Sequence, residues 1–236
     1  MGSDVASDAW APLALAQLWH WSPALLRGLL ANIAISVQAM ALGTAVGLLI
    51  GALALSPLAP LRLAARAWVQ AFRNAPVLVL IYFTTYVFPF EIGPAAWRVP
   101  FPDWVKVVLG LALPASANVA EIFRGAIQSI PSAQWEAAQS LALRRAQIFR
   151  LVILPQCLRR MLPPWMNLYA AITMSTSLAS LVGVHDLVDT AQIASNTVAR
   201  TDFTVLVYFA ILALFFAYCY PIARWTRALE RRHALA

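Results

Sequence analysis

GLLANIAISVQAMALGTAVGLLIGALAL, residues 28–55, carries no charged side chain, and the charge-free interval around it runs from Arg27 to Arg62. A helix rising 1.5 Å per residue needs about 20 predominantly apolar residues to cross the hydrocarbon core of a bilayer. Residues 28–55 therefore have the length of one spanning helix, which Pro57 and Pro60 bring to an end. Within it Gly43, Gly47 and Gly51 recur every fourth residue. That spacing lets a second helix approach closely, although lipid-facing helices are also rich in glycine.

Working outward, the same reasoning gives four more spans. The second covers about 67–89, with Pro76 near its start and Pro89 at its end. The third runs over about 107–130; only Val107 to Ala120 is free of charge, so it must carry Glu121 and Arg124. These two are three residues apart, on one helical face, and can pair. A charged pair within a span is expensive unless it faces a bundle interior or a helix end. The fourth span is Met161 to His185, with Pro163 and Pro164 suited to its first turn. The fifth is Phe203 to Ala223. The expectation is an all-α polytopic membrane protein with five transmembrane helices. A segment 1–24 lies at or beyond the outer interface, a transmembrane domain covers 25–232, a cytoplasmic loop lies at about 131–160, and 233–236 is a tail.

Composition agrees with this. The 236 residues are 61% hydrophobic and 11% charged, with mean hydropathy +0.72, against about 25% charged in soluble domains. So few charges leave a soluble surface unprotected, and lipid is the solvent that removes the difficulty. The length suits one membrane domain. Five spans put the termini on opposite sides. With the C-terminus inside, the cytoplasmic segments hold eleven basic residues: Arg62, Arg66, Arg144, Arg145, Arg150, Arg159, Arg160, Arg224, Arg227, Arg231 and Arg232. The outer segments hold four, Arg27, Arg98, Lys106 and Arg200, mixed with acidic residues. The positive-inside bias thus places the N-terminus outside and the C-terminus in the cytoplasm.

Several function classes are excluded. The net charge of +7 comes from short arginine patches between apolar runs, with no basic groove or stacking platform for nucleic acid. Cys157 and Cys219 are too few for a disulfide framework, and His20, His185 and His233 are too scattered for metal ligation. Met1 to Trp10 has two Asp and no basic region, unlike a cleavable signal peptide. Lys106 is the only lysine, so no Gly-x-x-x-x-Gly-Lys phosphate loop exists and any ATP is hydrolysed by another chain.

The loop between spans three and four carries the functional signal. A short helix starts after Pro131 and Ser132. Glu136 falls in its first turn, where negative charge suits the helix dipole. Ala137, Ala138, Leu141 and Ala142 make a small apolar face. A second helical stretch follows over about 146–154, and Pro155 breaks it. A short helix with a flat, small-residue face, joined to two spans, suits docking into a groove on a partner. An amphipathic helix resting on lipid is the other reading.

Glu136-Ala137-Ala138 followed by Ile153-Leu154-Pro155 resembles the EAA loop of ATP-binding-cassette importer permeases. Other segments narrow the resemblance to the polar amino-acid uptake subfamily (histidine, glutamine, arginine and glutamate permeases): Arg73-Asn-Ala-Pro76-Val-Leu, Ala120-Glu121-Ile-Phe-Arg124-Gly125-Ala-Ile127, Phe149-Arg150 with Val152 to Gln156, Leu162-Pro163-Pro164, Thr176-Ser177-Leu178-Ala-Ser180 with Val182-Gly183-Val184, and Leu229-Glu230-Arg231-Arg232. The match spans about 25–232. Departures are Ala142 at the loop glycine, which favours a continuous helix there, Asn74-Ala75 for Gly-Thr, Asn118 for a Tyr, and Met174-Ser175 for a Lys-Asp pair.

The resemblance implies a MetI-like permease fold in a bacterial inner membrane and a non-catalytic subunit that binds no cofactor itself. Its partners would be ATP-binding-cassette ATPase subunits, a second permease copy or paralogue, a soluble substrate-binding protein and an amino-acid substrate. Glu136, Ala137, Ala138, Leu141 and Ala142 would contact the ATPase. Asn118, Glu121, Arg124, Ser175, Thr176 and Ser177 would line the substrate pathway, with Asn167 and Arg73 behind them. For Glu121 and Arg124 a structural pair closing the inner end of span three is the alternative, and for the Ser/Thr cluster interhelical hydrogen bonding. An ion-coupled secondary transporter would show more spans and an internal repeat. A membrane enzyme would need paired carboxylates or clustered histidines, which the sequence does not offer.

Overall fold

In the computed structural model residues 10–94 and 97–234 are described. The expectations for Met1 to Ala9, and for the last two residues of the tail, lie outside the described residues. Helix α1 spans Trp10–Ala54, beginning 18 residues before the predicted Gly28. At 1.5 Å per residue it is about 68 Å long, roughly twice the hydrocarbon thickness. Pro23 does not interrupt it. Its first part packs on the C-terminal elements: Leu25 joins Leu187, Ala191, Ala194, Phe203 and Val207 in one cluster, with Leu18 and Trp21 against it. That packing, which hydropathy alone does not reveal, extends the helix.

The predicted second span is two helices, α2 (Ala59–Asn74) and α3 (Val77–Val87). Ala75 is extended, with φ −76° and ψ 135°, because the ring of Pro76 disfavours helical backbone in the residue before it. A two-residue hairpin then pairs Glu91–Ile92 (β1) with Val99–Pro100 (β2), a small departure from an all-α chain. Helix α4 (Asp103–Gln128) follows and includes Glu121 and Arg124. Lys106, expected in an outer loop, is fully buried in its first turns. Its Nζ donates to Asp103 Oδ1 at 3.0 Å and sits 4.0 Å from the centre of the Phe90 ring. Carboxylate and ring face together stabilise the buried ammonium.

The loop helix α5 covers Ser132–Ser140. Glu136 is its fifth residue, just past the first turn. Next come α6 (Arg145–Ile148), a π turn (Phe149–Ile153) and α7 (Leu154–Ser175). Pro155 does not break the chain here. It occupies the first turn of α7, and the wide π turn before it accommodates the missing amide. Pro163 and Pro164 lie inside α7 rather than opening it. A 3₁₀ segment (Thr176–Val182) follows, then α8 (Leu187–Val198) and α9 (Thr201–Ala234).

Three of these helices are individually long and apolar enough to cross a membrane: α1 over Leu13–Ala54, α4 over Asp103–Gln128 and α9 over Thr201–Arg231. Arg145–Val182 and Leu187–Val198, bent by 49°, supply a fourth if taken together. The predicted second span is not one continuous apolar helix: the backbone is extended at Ala75, and only Val77–Val87 is an apolar helix, shorter than a span.

The centre of the bundle is the α1–α4 seam. A Cβ added at Gly43 would meet Ala115 Cβ at 2.6 Å, at Gly47 the Ser116 carbonyl oxygen at 2.6 Å, and at Gly51 Phe123 Cδ1 at 2.8 Å. The helix approached by the glycine row is therefore α4. Side-chain hydrogen bonds tie other helices to the seam, Trp68 Nε1 to Ser116 Oγ (3.0 Å) and Trp165 Nε1 to Thr44 Oγ1 (2.8 Å), while the Tyr169 and Tyr218 hydroxyls, 2.6 Å apart, join α7 to α9. Gly47→Val is expected to destabilise the fold by about 1–3 kcal/mol through overpacking, read as a lower apparent melting temperature of the purified protein. Gly125→Ala, at a helical position where a Cβ meets nothing within 4 Å, should instead hold or raise that temperature, since alanine is favoured over glycine in a helix by about 0.5–1 kcal/mol.

Candidate functional site: a polar cavity and an exposed loop helix

Two places gather the residues singled out in the sequence. One is a cavity of about 500 Å³ between the C-terminal end of α1, α2 and the last turns of α4. Arg66, Gln70, Arg73 and Asn74 face it from α2, and Glu121, Arg124 and Gln128 from α4. The four α2 positions follow helical spacing, so one face of that helix is polar while Trp68 on another side binds Ser116. Arg124 grips Glu121 with two donors, Nε to Oε2 at 3.1 Å and Nη2 to Oε1, and its Nη1 donates to Gln128 Oε1. A bidentate pair of this kind fixes both side chains. Both remain about one-third exposed, so the pair faces the cavity, in keeping with a bundle-interior location for charge in a span.

The remaining pathway candidates are elsewhere. Asn118 lies one turn from Glu121 on α4 and donates to the Pro114 carbonyl at 2.8 Å, outside the cavity lining. Ser175 and Ser177 return their hydroxyls to the carbonyls of Ala171 and Met174 at 3.0 and 2.8 Å. Asn167 is exposed on α7. Thr176 is fully buried. It accepts from Asn32 Nδ2 at 2.9 Å, and the same amide reaches Asp186 Oδ2 at 3.1 Å. Asn32 Oδ1 in turn accepts from the Leu187 amide at 3.0 Å. This buried node joins α1 to the bend between the 3₁₀ segment and α8, where Asp186 caps α8 by accepting from Asp189 N. In the sequence Asn32 is one polar residue in a charge-free run, a signal too weak to find the node. Of the cavity residues, Arg73, Glu121 and Arg124 were named from the sequence, whereas Gln70 was not and Arg66 counted only toward topology, although 66, 70 and 73 share one helical face.

The second place is the loop. Ala138 is turned inward, buried among Phe123, Ala126, Ile130, Ile148, Ile153 and Cys157, so it anchors α5 rather than sharing a face with its neighbours. Glu136, Ala137, Leu141 and Ala142 remain exposed, Leu141 by 76%. Arg160 Nη1 ties α7 to the end of α4 through the carbonyl and hydroxyl of Ser129, at 2.7 and 3.0 Å. The helix does not continue through Ala142, contrary to the expectation from its side chain. Ala142 adopts φ +54° and donates its amide to the Gln139 carbonyl at 2.9 Å, the left-handed residue that ends α5. For an L-residue that backbone costs about 1–2 kcal/mol, and glycine is free of the cost. Ala142→Gly should therefore stabilise the loop by about 1 kcal/mol, seen as slower amide hydrogen exchange over 139–148. Faster exchange in the variant would count against this account of the turn.

Residues 43–234 match the family described as binding-protein-dependent transport system inner membrane component. The chain is 33% identical over 213 residues to the probable amino-acid ABC transporter permease protein YckA of Bacillus subtilis (strain 168), covering 90% of each. It is 32% identical over 231 residues to the octopine transport system permease protein OccM of Rhizobium radiobacter, covering 94% of this chain and 93% of that one. The fold superposes with TM-score 0.80 and 27% identity on a chain of an amino acid ABC transporter crystallised with histidines, covering 91% of this chain and 96% of that one. An α1–α4 bundle with an anchored, outward-facing loop helix and a match over more than half its length identify the chain as a member of the family of inner membrane components of binding-protein-dependent transport systems.

Proposed function

We infer that the chain is the permease subunit of an ABC importer for polar amino acids, and that α5 couples it to a separate ATPase. The observation that carries this is the construction of the loop. Ala138 and its apolar neighbours hold α5 against the ends of α4 and α7, while Glu136, Ala137, Leu141 and Ala142 are left open. A surface that is rigid beneath and unpartnered above can receive a groove and pass its movement on. From α6 through the π turn to Ser175 the chain is helical without a break. A push on α5 then tilts α4 and α7 together, and Arg160 on Ser129 keeps the two ends in step.

In this reading five crossings are made by α1, the broken α2–α3 pair, α4, α6–α7 and α9, in a bacterial inner membrane with the N-terminus outside and the C-terminus in the cytoplasm. The arginine bias supports that orientation. ATP is hydrolysed by the ATPase chains, this chain binding no cofactor. A second permease copy or paralogue completes the pathway, and a soluble binding protein delivers substrate outside. The substrate, zwitterionic at neutral pH, requires polar partners at membrane depth, where unpaired polar groups cost several kcal/mol. Glu121 and Arg124 supply them at the cavity, with Asn118 one turn further out. Ser175 and Ser177 border the pathway further along, and Thr176 holds its wall through Asn32.

Leu141→Cys should form a disulfide or bifunctional cross-link to the ATPase subunit in inner-membrane vesicles. Cross-links that reach no nucleotide-binding subunit would overturn the coupling role. Glu136→Lys is expected to lower ATP-driven amino-acid uptake to about a tenth or less, the loss of roughly 1.4 kcal/mol at a docking contact, with the complex still inserted. Asn118→Ala and Ser175→Ala are expected to change the relative uptake of different amino acids. Unaltered preference in both variants removes these two residues from the pathway.

A further inference from the structure

The cavity between α2 and α4 is unbalanced in charge. Its walls hold three guanidinium groups, Arg66, Arg73 and Arg124, and one carboxylate, Glu121. The carboxylate is already engaged, both oxygens being occupied by Arg124. Arg66 and Arg73 have neither a hydrogen bond nor an ion pair among the described residues, and both are exposed. Three positive charges against one negative leave a formal sum of +2. Arg73 is in the last turn of α2, where the helix end offers about half a negative charge. Arg66, two turns earlier, has no such compensation.

Neutral acceptors complete the lining. Asn74 donates its amide nitrogen to the Gln70 carbonyl at 2.7 Å, which leaves its side-chain oxygen, and that of Gln70, to accept from an ammonium group. The cavity thus offers two unengaged guanidinium forks and two amide oxygens. A cationic amino acid entering it meets like charge. A neutral one brings a single carboxylate for two forks. A solute with one more carboxylate than ammonium matches both.

We propose that this cavity accepts amino acids bearing a surplus carboxylate, a dicarboxylic amino acid being the simplest, and disfavours cationic ones. This deepens the importer reading above and rests on it. Arg66 and Arg73 hold the two carboxylates, and the Arg124–Glu121 pair is the rigid, internally neutral wall opposite them. The amide oxygens receive the ammonium group.

The test uses the permease–ATPase complex purified without its binding protein, so that the permease alone selects. Equilibrium binding of radiolabelled L-glutamate, L-glutamine and L-arginine is measured at neutral pH and low ionic strength. Glutamate should bind most tightly and arginine least. The double variant Arg66→Gln, Arg73→Gln should weaken glutamate about tenfold more than glutamine. Arg73→Lys, which keeps the charge, should retain most of the glutamate affinity, and size-exclusion elution reports that each variant is folded. Absent glutamate binding, arginine bound as tightly as glutamate, or an equal loss for all three solutes overturns the proposal. So does co-purifying anionic lipid whose removal abolishes the difference between wild type and variant, since the cavity would then be a headgroup site. Uptake by the complete importer is assayed in parallel. No ATP-dependent uptake of any amino acid would remove the importer reading itself, whereas uptake with a charge-blind or cation-preferring cavity removes only this inference.

Discussion

The close approach of α1 to α4 is the constraint on which the rest depends. In lipid the hydrophobic effect no longer drives helices together, so association relies on van der Waals contact and interhelical hydrogen bonds. Gly43, Gly47 and Gly51 remove the side chains that would hold the two backbones apart. Once α4 is pressed into that groove its other faces become platforms. Ser116 receives Trp68 from α2, Gly110 lies under Ile81 and Thr84 of α3, and Phe123 and Ala126 receive the loop helix from below. Both the cavity lining and the apolar anchor of the loop helix are built on the C-terminal half of this one helix.

Polar groups within the bundle serve two ends. Those at the Asn32–Thr176–Asp186 node satisfy one another completely and are buried; they define where the chain turns from α7 into α8. Those at the α2–α4 cavity are incompletely paired and partly exposed. In a low-dielectric setting an unpaired charge is costly, and keeping Arg66 and Arg73 unpaired is sustainable because the cavity is open to water. The contrast is one of burial and pairing: Thr176 belongs to the closed node, Arg66 and Arg73 to the open cavity.

Much of this was legible in the sequence, and the failures have physical causes. The apolar runs located α4, α9 and the C-terminal part of α1, and the glycine spacing allowed for a close helix approach without naming α4 as the partner. Pro76 signalled a boundary but was placed at the start of a span, because hydropathy is blind to whether the backbone on either side is one helix. Pro155, Pro163 and Pro164 were read as punctuation, yet a π turn and flanking helical structure absorb them. Alanine at 142 suggested continued helix by propensity, whereas the loop's apolar anchor at Ala138 and the return toward Ile148 require a left-handed residue there. Tertiary packing overrode local preference at each of these sites. The Arg66–Gln70–Arg73 face was written in the spacing, but Arg66 was read only as a topological marker and Arg73 only as standing behind the pathway, so the face was not assembled.

Lys106 is the only lysine of the chain, and its ammonium group is sealed under Phe90 and against Asp103. The side chains of this subunit thus offer acylating and imidate reagents no reachable target. In an assembled transporter, lysine-directed labels will decorate the surrounding subunits and leave the lysine side chain of this one unmarked.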